Sequence, residues 1–308
     1  MKHFGDCLYE ALGSAGTPVL VGLDPRLSSL PADLRQDVDA SDPSAVARAF
    51  TKFCCEVIDV VASLVPAVKP QAAFFEQLGP PGMQALAETV AHARKRGLLV
   101  IMDGKRNDIG STAAAYADAY LGAESAWGAD ALTVSPYLGD DSLVPFFDVA
   151  KKRGGGVFVL VKTSNPGGGL FQDLVSDSSS LYQHVANYVE ARANESLGEH
   201  GYGFVGAVVG ATYPEQLGEL RSTMARTWIL VPGFGAQGGT VKDVAAAFDE
   251  QGQGAIVNSS RAIIFAHSRP EFKDTFGDAQ WQRAVEAATQ LMIDQLRTET
   301  PAGQLIRS

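Results

Sequence analysis

The sequence has few cysteines, few histidines, no long apolar run and a deficit of positive charge. Its 308 residues include three cysteines, five histidines, 25 lysines and arginines and 35 acidic residues, so the formal net charge is −10. An acidic chain offers no dense cationic face, so we expect no nucleic-acid partner. No run approaches the roughly 18 apolar residues of a membrane span, and the first residues lack a signal-peptide core. We therefore expect no membrane association.

The few cysteines and histidines form no motif of known chemistry. Cys54 and Cys55 lie inside an apolar helical pattern and Cys7 stands alone, so the sequence predicts neither a disulfide framework nor a Cys-x-x-Cys site. Reduced cysteines are typical of the cytoplasm, which is the location we expect. The histidines lie away from the predicted strand ends. His-based catalysis and a His metal site are therefore not predicted.

Eight short apolar runs alternate with helical patterns along the chain. Eight strands, each followed by a helix, are typical of the (β/α)8 TIM barrel, which is an α/β fold. No linker divides the sequence into two parts. We predict a single barrel domain over residues 1–308. The predicted strands span 18–25, 66–75, 97–105, 129–136, 155–164, 203–211, 227–235 and 254–261. The helical patterns lie near 46–64, 82–96, 111–127, 140–153, 181–197, 214–225, 240–252 and 281–296.

Two connections are longer than ordinary loops. They lie at about 25–43, after the first strand, and at 165–180, after the fifth. Barrel enzymes keep their active sites at the carboxyl ends of the strands. We therefore expect both long loops to lie on the active-site face.

The densest charged cluster follows the third strand and contains Asp103, Lys105 and Asp108. Asp103 and Lys105 are two residues apart on a strand, so both side chains should project to one face, and Lys69 ends the neighbouring strand. A lysine between carboxylates is held as ammonium, which makes it an acid rather than a Schiff-base nucleophile. Two structural interpretations stay open: Asp108 could cap a helix beginning at Ile109, and Asp103 with Lys105 could be an ion pair of the barrel rim.

A second candidate site follows the seventh strand, where residues 233–238 match the pattern G-x-G-x-x-G. As a dinucleotide motif the match is poor, because Asn258 and Ser259 stand where an acidic ribose ligand would be needed. Glycines before a helix still expose backbone N–H groups to an anion, and Arg261 ends the next strand. We predict a phosphate clamp formed by Gln237, Arg261 and the intervening amides. The alternative is a tight turn beside a surface arginine.

The segment Asp103-x-Lys105-x-x-Asp108-Ile, with Thr112 four residues beyond, resembles the signature of the orotidine 5'-monophosphate decarboxylase family. Five further segments resemble that family in order and spacing, and the long connections resemble its larger bacterial branch. These segments are GLDPR around Asp24, VKPQAAFFE around Lys69, VKTSNPG around Ser164, PGFGAQGG around Gln237 and VNSSR around Arg261.

The resemblance implies cofactor-free decarboxylation of orotidine 5'-monophosphate to uridine 5'-monophosphate, the last step of de novo UMP synthesis. Lys105 would be the acid that protonates C6, and Asp103 would face the substrate carboxylate. Lys69 and Asp108 would complete the charged chain. No metal is implied.

The resemblance also implies the remaining contacts with a small nucleoside monophosphate. Asp24 would bind the ribose, Ser164 the pyrimidine edge, and Gln237 with Arg261 the phosphate. Asp108 and Thr112 would reach across from a second subunit, which implies a homodimer with shared active sites. One departure is Gly110, since shorter members of the family commonly have proline there.

Two alternative functions remain at this point. A metal-dependent sugar-phosphate decarboxylase or aldolase can carry a similar Asp-x-Lys-x-x-Asp motif on the same barrel. Its relatives have a glutamate ligand where this chain has Lys69, and an ammonium there would repel the metal. The second alternative is a catalytically inactive barrel that acts as a binding protein, which would tolerate loss of the charges at 69, 103, 105 and 108.

Overall fold

The computed structural model describes residues 2–122, 124–235 and 239–305. Eight parallel strands form a closed barrel in which each strand pairs with its neighbours in chain order, and the first strand pairs with the last. The predicted (β/α)8 TIM barrel is therefore confirmed. The strands are β1 (Val19–Leu23), β2 (Ala67–Pro70), β3 (Leu99–Arg106), β4 (Ala131–Val134), β5 (Gly156–Lys162), β6 (Val205–Val209), β7 (Ile229–Val231) and β8 (Ala255–Ser259).

The main helices surround this barrel. They are α1 (Phe4–Ala15), α2 (Pro43–Val61), α3 (Pro80–Lys95), α4 (Gly110–Tyr120), α5 (Asp140–Arg153), α6 (Leu181–Asn194), α7 (Pro214–Thr223), α8 (Val241–Ala245) and α9 (Trp281–Glu299). Helices of four residues lie at Ala32–Arg35, Ala73–Glu76, Gly169–Gln172, Arg261–Ile264 and Pro270–Lys273. In the described part of the chain, none of the helices has the length and apolar character that a membrane crossing requires.

The apolar patterns explain why these elements form. All five residues of β1 are buried, as expected for a parallel strand covered on both faces. Helix α2 begins at Pro43, and Asp42 caps it by accepting a hydrogen bond from the Ser44 N–H at 2.8 Å. Its face containing Phe50 and Phe53 is buried in the core, as the helical spacing predicts.

Several predicted elements were too long. The predicted strand 66–75 ends at Pro70, and Ala73–Glu76 forms a helical turn. The predicted helix 240–252 stops at Ala245, because the Asp249 carboxylate binds the backbone N–H groups of Gln251 and Gln253 and stabilises a turn instead. The predicted helix 111–127 stops at Tyr120.

Helix α4 does not begin where an Asp108 cap would place its start. The helix begins at Gly110, with Ile109 in the capping position and no side-chain cap, and the Asp108 carboxylate accepts the N–H of Ile109. Asp108 as the helix cap is therefore wrong. Gly110 has φ +54°, a conformation that the proline of shorter family members cannot adopt.

The two long connections contain local structure. The first holds a 3-10 turn at Leu27–Ser29 and the short helix Ala32–Arg35. The second holds the short helix Gly169–Gln172 and a hairpin of Val175–Ser176 with Ser179–Ser180. The two residues of the hairpin turn have positive φ angles, which suit the right-handed twist of a tight hairpin.

Candidate active site

A cavity of about 580 Å³ opens at the carboxyl ends of the barrel strands. This volume is typical of a small-molecule site. Both long connections contribute to its wall, through Arg26 from the first and Asn165 and Gln172 from the second. The predicted site residues that line it are Asp24, Lys69, Asp103, Lys105, Ser164 and Arg261.

Strand β3 carries an irregularity at the cavity. Met102 pairs with Leu132 of β4, and the next pair joins Arg106 to Val134. Three residues of β3, numbers 103–105, therefore lie opposite the single residue Thr133. This extra length is a β-bulge, a feature that commonly redirects side chains beside active sites.

The bulge places Asp103 between two ammonium groups. The Lys69 Nζ atom lies 2.8 Å from Asp103 Oδ2, and the Lys105 Nζ atom lies 2.5 Å from Asp103 Oδ1. Gln71 Nε2 donates to Oδ2 at 3.0 Å, and the Thr133 hydroxyl donates to Oδ1 at 3.1 Å. Each carboxylate oxygen thus accepts two hydrogen bonds, which uses the four acceptor positions of the group.

Burial and charge act in opposite directions on this cluster. Burial on its own raises the pKa of Asp103, but the lysine ammonium groups outweigh it and hold that pKa well below its usual range. Burial on its own lowers the pKa of Lys69, but Asp103 and Asp24 outweigh it and raise that pKa. Both groups are therefore charged at neutral pH.

Two acceptor atoms on the cavity wall are buried without a hydrogen-bond partner in the described part of the molecule. They are Oδ1 of Asp24, just after β1, and Oδ1 of Asn258, near the end of β8. A buried acceptor without a hydrogen bond costs free energy, so we expect these two atoms to accept hydrogen bonds from a bound molecule. Ligand hydroxyl groups have the required chemistry.

The connection after β5 is tied to the barrel beside Ser164. Gln172 accepts a hydrogen bond from the Thr163 N–H at 3.1 Å and donates to the Thr163 hydroxyl at 2.8 Å. Lys162, which is 1% exposed, forms an ion pair with Asp173. These contacts hold the connection after β5 in place, and Ser164 at its start lines the cavity.

The predicted phosphate site lies across the cavity. Gly233, Phe234 and Arg261 line it, and Arg261 is exposed at the start of a short helix. Gly233 and Gly235 have φ angles of +98° and +73°, which supply the turn after β7. Gln237 lies outside the described residues.

Asp108 and Thr112 are not among the residues that line this cavity. Asp108 is half-buried and Thr112 is exposed, while Ile109 between them is 55% exposed. The structure therefore brings Lys69, Asp103 and Lys105 together within one chain, and it leaves Asp108 and Thr112 outside the lining of this cavity.

Three polar groups of the site are not predicted from the sequence: Gln71, Thr133 and Asn258. Gln71 follows Lys69 by two residues, so strand alternation places it on the same face and could have identified it. Thr133 lies within the predicted fourth strand, three residues before its end. Its contact with Asp103 depends on the bulge, and the alternation pattern does not reveal a bulge.

A TIM barrel that buries a carboxylate between two lysines at its open end has the features of an enzyme for an anionic small molecule. The chain belongs to the orotidine 5'-phosphate decarboxylase / HUMPS family, whose model matches residues 17–272.

Individual relatives agree with this assignment. The orotidine 5'-phosphate decarboxylase of Rhodopirellula baltica is 59% identical over 301 residues, covering 96% of this chain and all of the relative. The protein of that name from Deinococcus radiodurans is 43% identical, covering 85% of this chain and 89% of the relative. The solved structure of Leishmania donovani OMP decarboxylase has a TM-score of 0.74 at 33% identity, covering 96% of this chain and 97% of that one.

Proposed function

We propose that this protein is a carboxy-lyase that converts orotidine 5'-monophosphate to uridine 5'-monophosphate and CO2. The observation that carries the proposal is the contact of Asp103 with both Lys69 and Lys105 in the cavity. The relatives named orotidine 5'-phosphate decarboxylase, aligned over nearly the whole chain, support the same substrate.

The charged cluster has the chemistry that this reaction needs. Cleavage of the bond between C6 and the carboxylate releases CO2 and leaves an electron pair at C6 that the pyrimidine ring cannot delocalise. The Lys105 ammonium stabilises that pair electrostatically and then transfers its proton to C6, which gives the product. Lys105 is half-exposed toward the cavity, so its neutral form can regain a proton from solvent.

Asp103 acts on the substrate carboxylate. Two like charges ~4 Å apart repel by about 4 kcal/mol at an effective dielectric constant of ~20. Enzymes lower barriers by roughly 8 to 23 kcal/mol, so repulsion alone is insufficient. Binding of the phosphate by Arg261 and Gln237, of the ribose by Asp24 and of the pyrimidine by Ser164 provides further energy to hold the strained complex.

The metal-dependent alternative is disfavoured by the chemistry of Asp103. Its four acceptor positions are taken by two ammonium groups, one amide and one hydroxyl. A divalent cation at this carboxylate would have to displace a lysine and would be repelled by the other. The inactive-barrel alternative provides no reason to keep Lys69 buried and charged beside a cavity.

The test is turnover of orotidine 5'-monophosphate by the purified protein, with CO2 and uridine 5'-monophosphate counted together. We expect equal amounts of the two products and an unchanged rate after exhaustive chelation. Loss of activity on chelation and its recovery with Mg²⁺ would contradict the mechanism and favour the sugar-phosphate alternative. Absence of turnover by the folded protein would contradict the function.

We further propose that two subunits share each active site. Asp108 and Thr112 lie outside the cavity of their own chain, and large apolar side chains are exposed nearby in sequence and after β4: Ile109, Tyr137 and Leu138. Such side chains favour burial against a second copy. In this arrangement Asp108 of one subunit completes the charged chain of the other.

Mixing two inactive variants tests the shared site. Lys105→Ala and Asp108→Ala homodimers should each be nearly inactive. After joint unfolding and refolding, half of the dimers are mixed, and one site of each mixed dimer holds both intact residues, so about one quarter of all sites should be wild type. A mixture that stays at the level of the separate variants, although tagging shows exchange, would mean that Asp108 acts within its own chain.

The remaining features are supported by the sequence alone. We propose that residues 1–308 form one domain and that the protein acts in the cytoplasm, where its three cysteines stay reduced. Its partner is the nucleoside monophosphate, without nucleic acid.

A further inference from the structure

The bulge in β3 leaves the backbone around Lys105 without a regular ladder partner. Residues 103–105 of β3 lie opposite Thr133 alone, so β4 offers one residue where a regular ladder would pair three. Lys105 also has φ +44°, a left-handed conformation that non-glycine residues rarely adopt. Such a conformation costs about 1 to 3 kcal/mol, and it persists only where neighbouring groups hold it.

The Thr133 hydroxyl supplies the missing backbone contact. The Lys105 N–H donates to Thr133 Oγ1 at 2.9 Å, which replaces a bond that a regular ladder would make to a carbonyl group. Thr133 is 1% exposed, so its hydroxyl is shielded from bulk water. Without the hydroxyl, this N–H would lose its partner on the strained residue.

The same hydroxyl is also bonded to the carboxylate. A hydroxyl has one proton to donate and two lone pairs to accept with, and here the proton goes to Asp103 Oδ1 at 3.1 Å. The Lys105 ammonium lies 2.5 Å from that same oxygen. One side chain therefore fixes both ends of Lys105, the backbone directly and the ammonium through Asp103.

We propose that Thr133 is a positioning residue that sets the place of the Lys105 ammonium relative to the reacting C6 atom. This inference rests on the proposed decarboxylation. Thr133 stabilises the left-handed backbone at Lys105 and orients the carboxylate that holds its ammonium group. Because a misplacement of about 1 Å can cost roughly 100-fold in rate, loss of this hydroxyl should affect turnover more than substrate binding.

Two variants separate the hydroxyl from the volume of the side chain. Thr133→Val keeps the size and the branched shape and removes both hydrogen bonds, whereas Thr133→Ser keeps the hydroxyl. We expect Thr133→Val to lower kcat about 10- to 100-fold with KM within about threefold of wild type. Thr133→Ser should restore most of kcat, and binding of uridine 5'-monophosphate should be unchanged in both.

The matched control is Thr89→Val in α3. Thr89 is equally buried, and its hydroxyl donates to the Ala85 carbonyl of its own helix at 2.8 Å. The Thr89→Val variant should keep the kcat of wild type, because the hydrogen bond that it removes is remote from the cavity.

The outcomes distinguish this proposal from the proposed function. If wild type turns over the substrate and Thr133→Val matches it, Thr133 is no positioning residue. If Thr133→Val and Thr133→Ser lose activity equally, with KM and product binding changed in parallel, the role is structural. If wild type is inactive, the proposed function fails, and a crystal structure of Thr133→Val then tests the positioning role by itself. We expect the backbone of Lys105 to leave φ +44° or its Nζ atom to move away from Asp103. A Lys105 residue in the same conformation as in wild type would overturn the proposal.

Discussion

The two ends of the barrel each bury an aspartate, and they stabilise its charge with different groups. At the amino end, Asp6 of α1 accepts hydrogen bonds from the backbone N–H groups of Glu199 and His200 at 3.1 and 3.0 Å. At the carboxyl end, Asp103 is held mainly by two lysines. Neutral backbone donors fix a loop at the first site, whereas charged side chains line a cavity at the second. The comparison indicates that the reactive groups are confined to the carboxyl end, whereas the buried aspartate of the amino end contributes to stability alone.

Packing follows the same division. Phe4 of α1 packs against Gly156 at the start of β5, where a Cβ atom would lie 2.2 Å from the Phe4 ring, so only glycine fits. Leu8 and Leu12 of the same helix are fully buried. The amino end is therefore filled by apolar side chains, while the carboxyl end keeps a cavity of about 580 Å³ lined by charged and polar groups.

The largest expected effect combines both properties and comes from Asp103→Ala. Removal of this carboxylate leaves Lys69, which is 4% exposed, without the partner of its ion pair, so the free energy of unfolding should fall by about 3 to 5 kcal/mol. Activity should be lost as well. Chemical denaturation and a turnover assay measure the two effects.

A second variant separates the two effects. Asp103→Ala combined with Lys69→Met removes the uncompensated charge and should recover much of the stability without any activity. If Asp103→Ala alone is as stable as wild type, the buried charges are not coupled as described.

At the amino end, Asp6→Ala should destabilise the protein without changing its chemistry. It removes two hydrogen bonds to a charged acceptor, and we expect a loss of about 1.5 to 3 kcal/mol in the free energy of unfolding. Because Asp6 is far from the cavity lining, kcat at a temperature where the variant is folded should equal that of wild type. Asp37→Ala, at an exposed aspartate, is the control. A large fall in kcat for Asp6→Ala would break the division between the two ends.

Arg261→Ala tests the phosphate contact in the cavity. One charge-assisted contact is worth about 1.5 to 3 kcal/mol, so kcat/KM for the nucleotide should fall by roughly 10- to 150-fold. The unphosphorylated nucleoside lacks the group that Arg261 binds, and its kcat/KM should change little. An equal proportional loss with both substrates would contradict phosphate binding by this residue.

The smallest effect is a pH dependence at the amino end. Burial raises the pKa of Asp6, but the hydrogen bonds from His200 and Glu199 outweigh it and hold that pKa below its ordinary value. The unfolded state therefore binds more protons in acid, so this contribution is present above the ordinary pKa of about 4 and is lost as pH falls toward the folded-state pKa. Unfolding measured from pH 5 to pH 3 should have a shallower slope in Asp6→Asn than in wild type. If the free energy of unfolding has the same slope against pH in both proteins, Asp6 is not the source of the pH dependence.

The sequence predicts the barrel better than it predicts the details of the site. Eight buried parallel strands give eight apolar runs, and the spacing of Asp103 and Lys105 correctly suggested neighbouring side chains. The bulge is different, because the register of β3 against β4 depends on tertiary packing, and so the role of Thr133 could not be read from alternation. Helix α1 is not among the predicted elements, because it precedes the first strand and so lies outside the repeating strand–helix pattern. The position of Asp108 outside its own cavity requires the three-dimensional structure.

The most direct test of the division is Lys105→Ala, assayed for uridine 5'-monophosphate formation and for the free energy of unfolding in the same preparation. The Lys105 side chain is 47% exposed at the cavity, so its removal should change stability by less than about 1 kcal/mol. Loss of a fixed positive charge and of the proton donor should lower kcat by at least about 10³-fold. A folded Lys105→Ala variant with kcat within a few-fold of wild type would contradict the account.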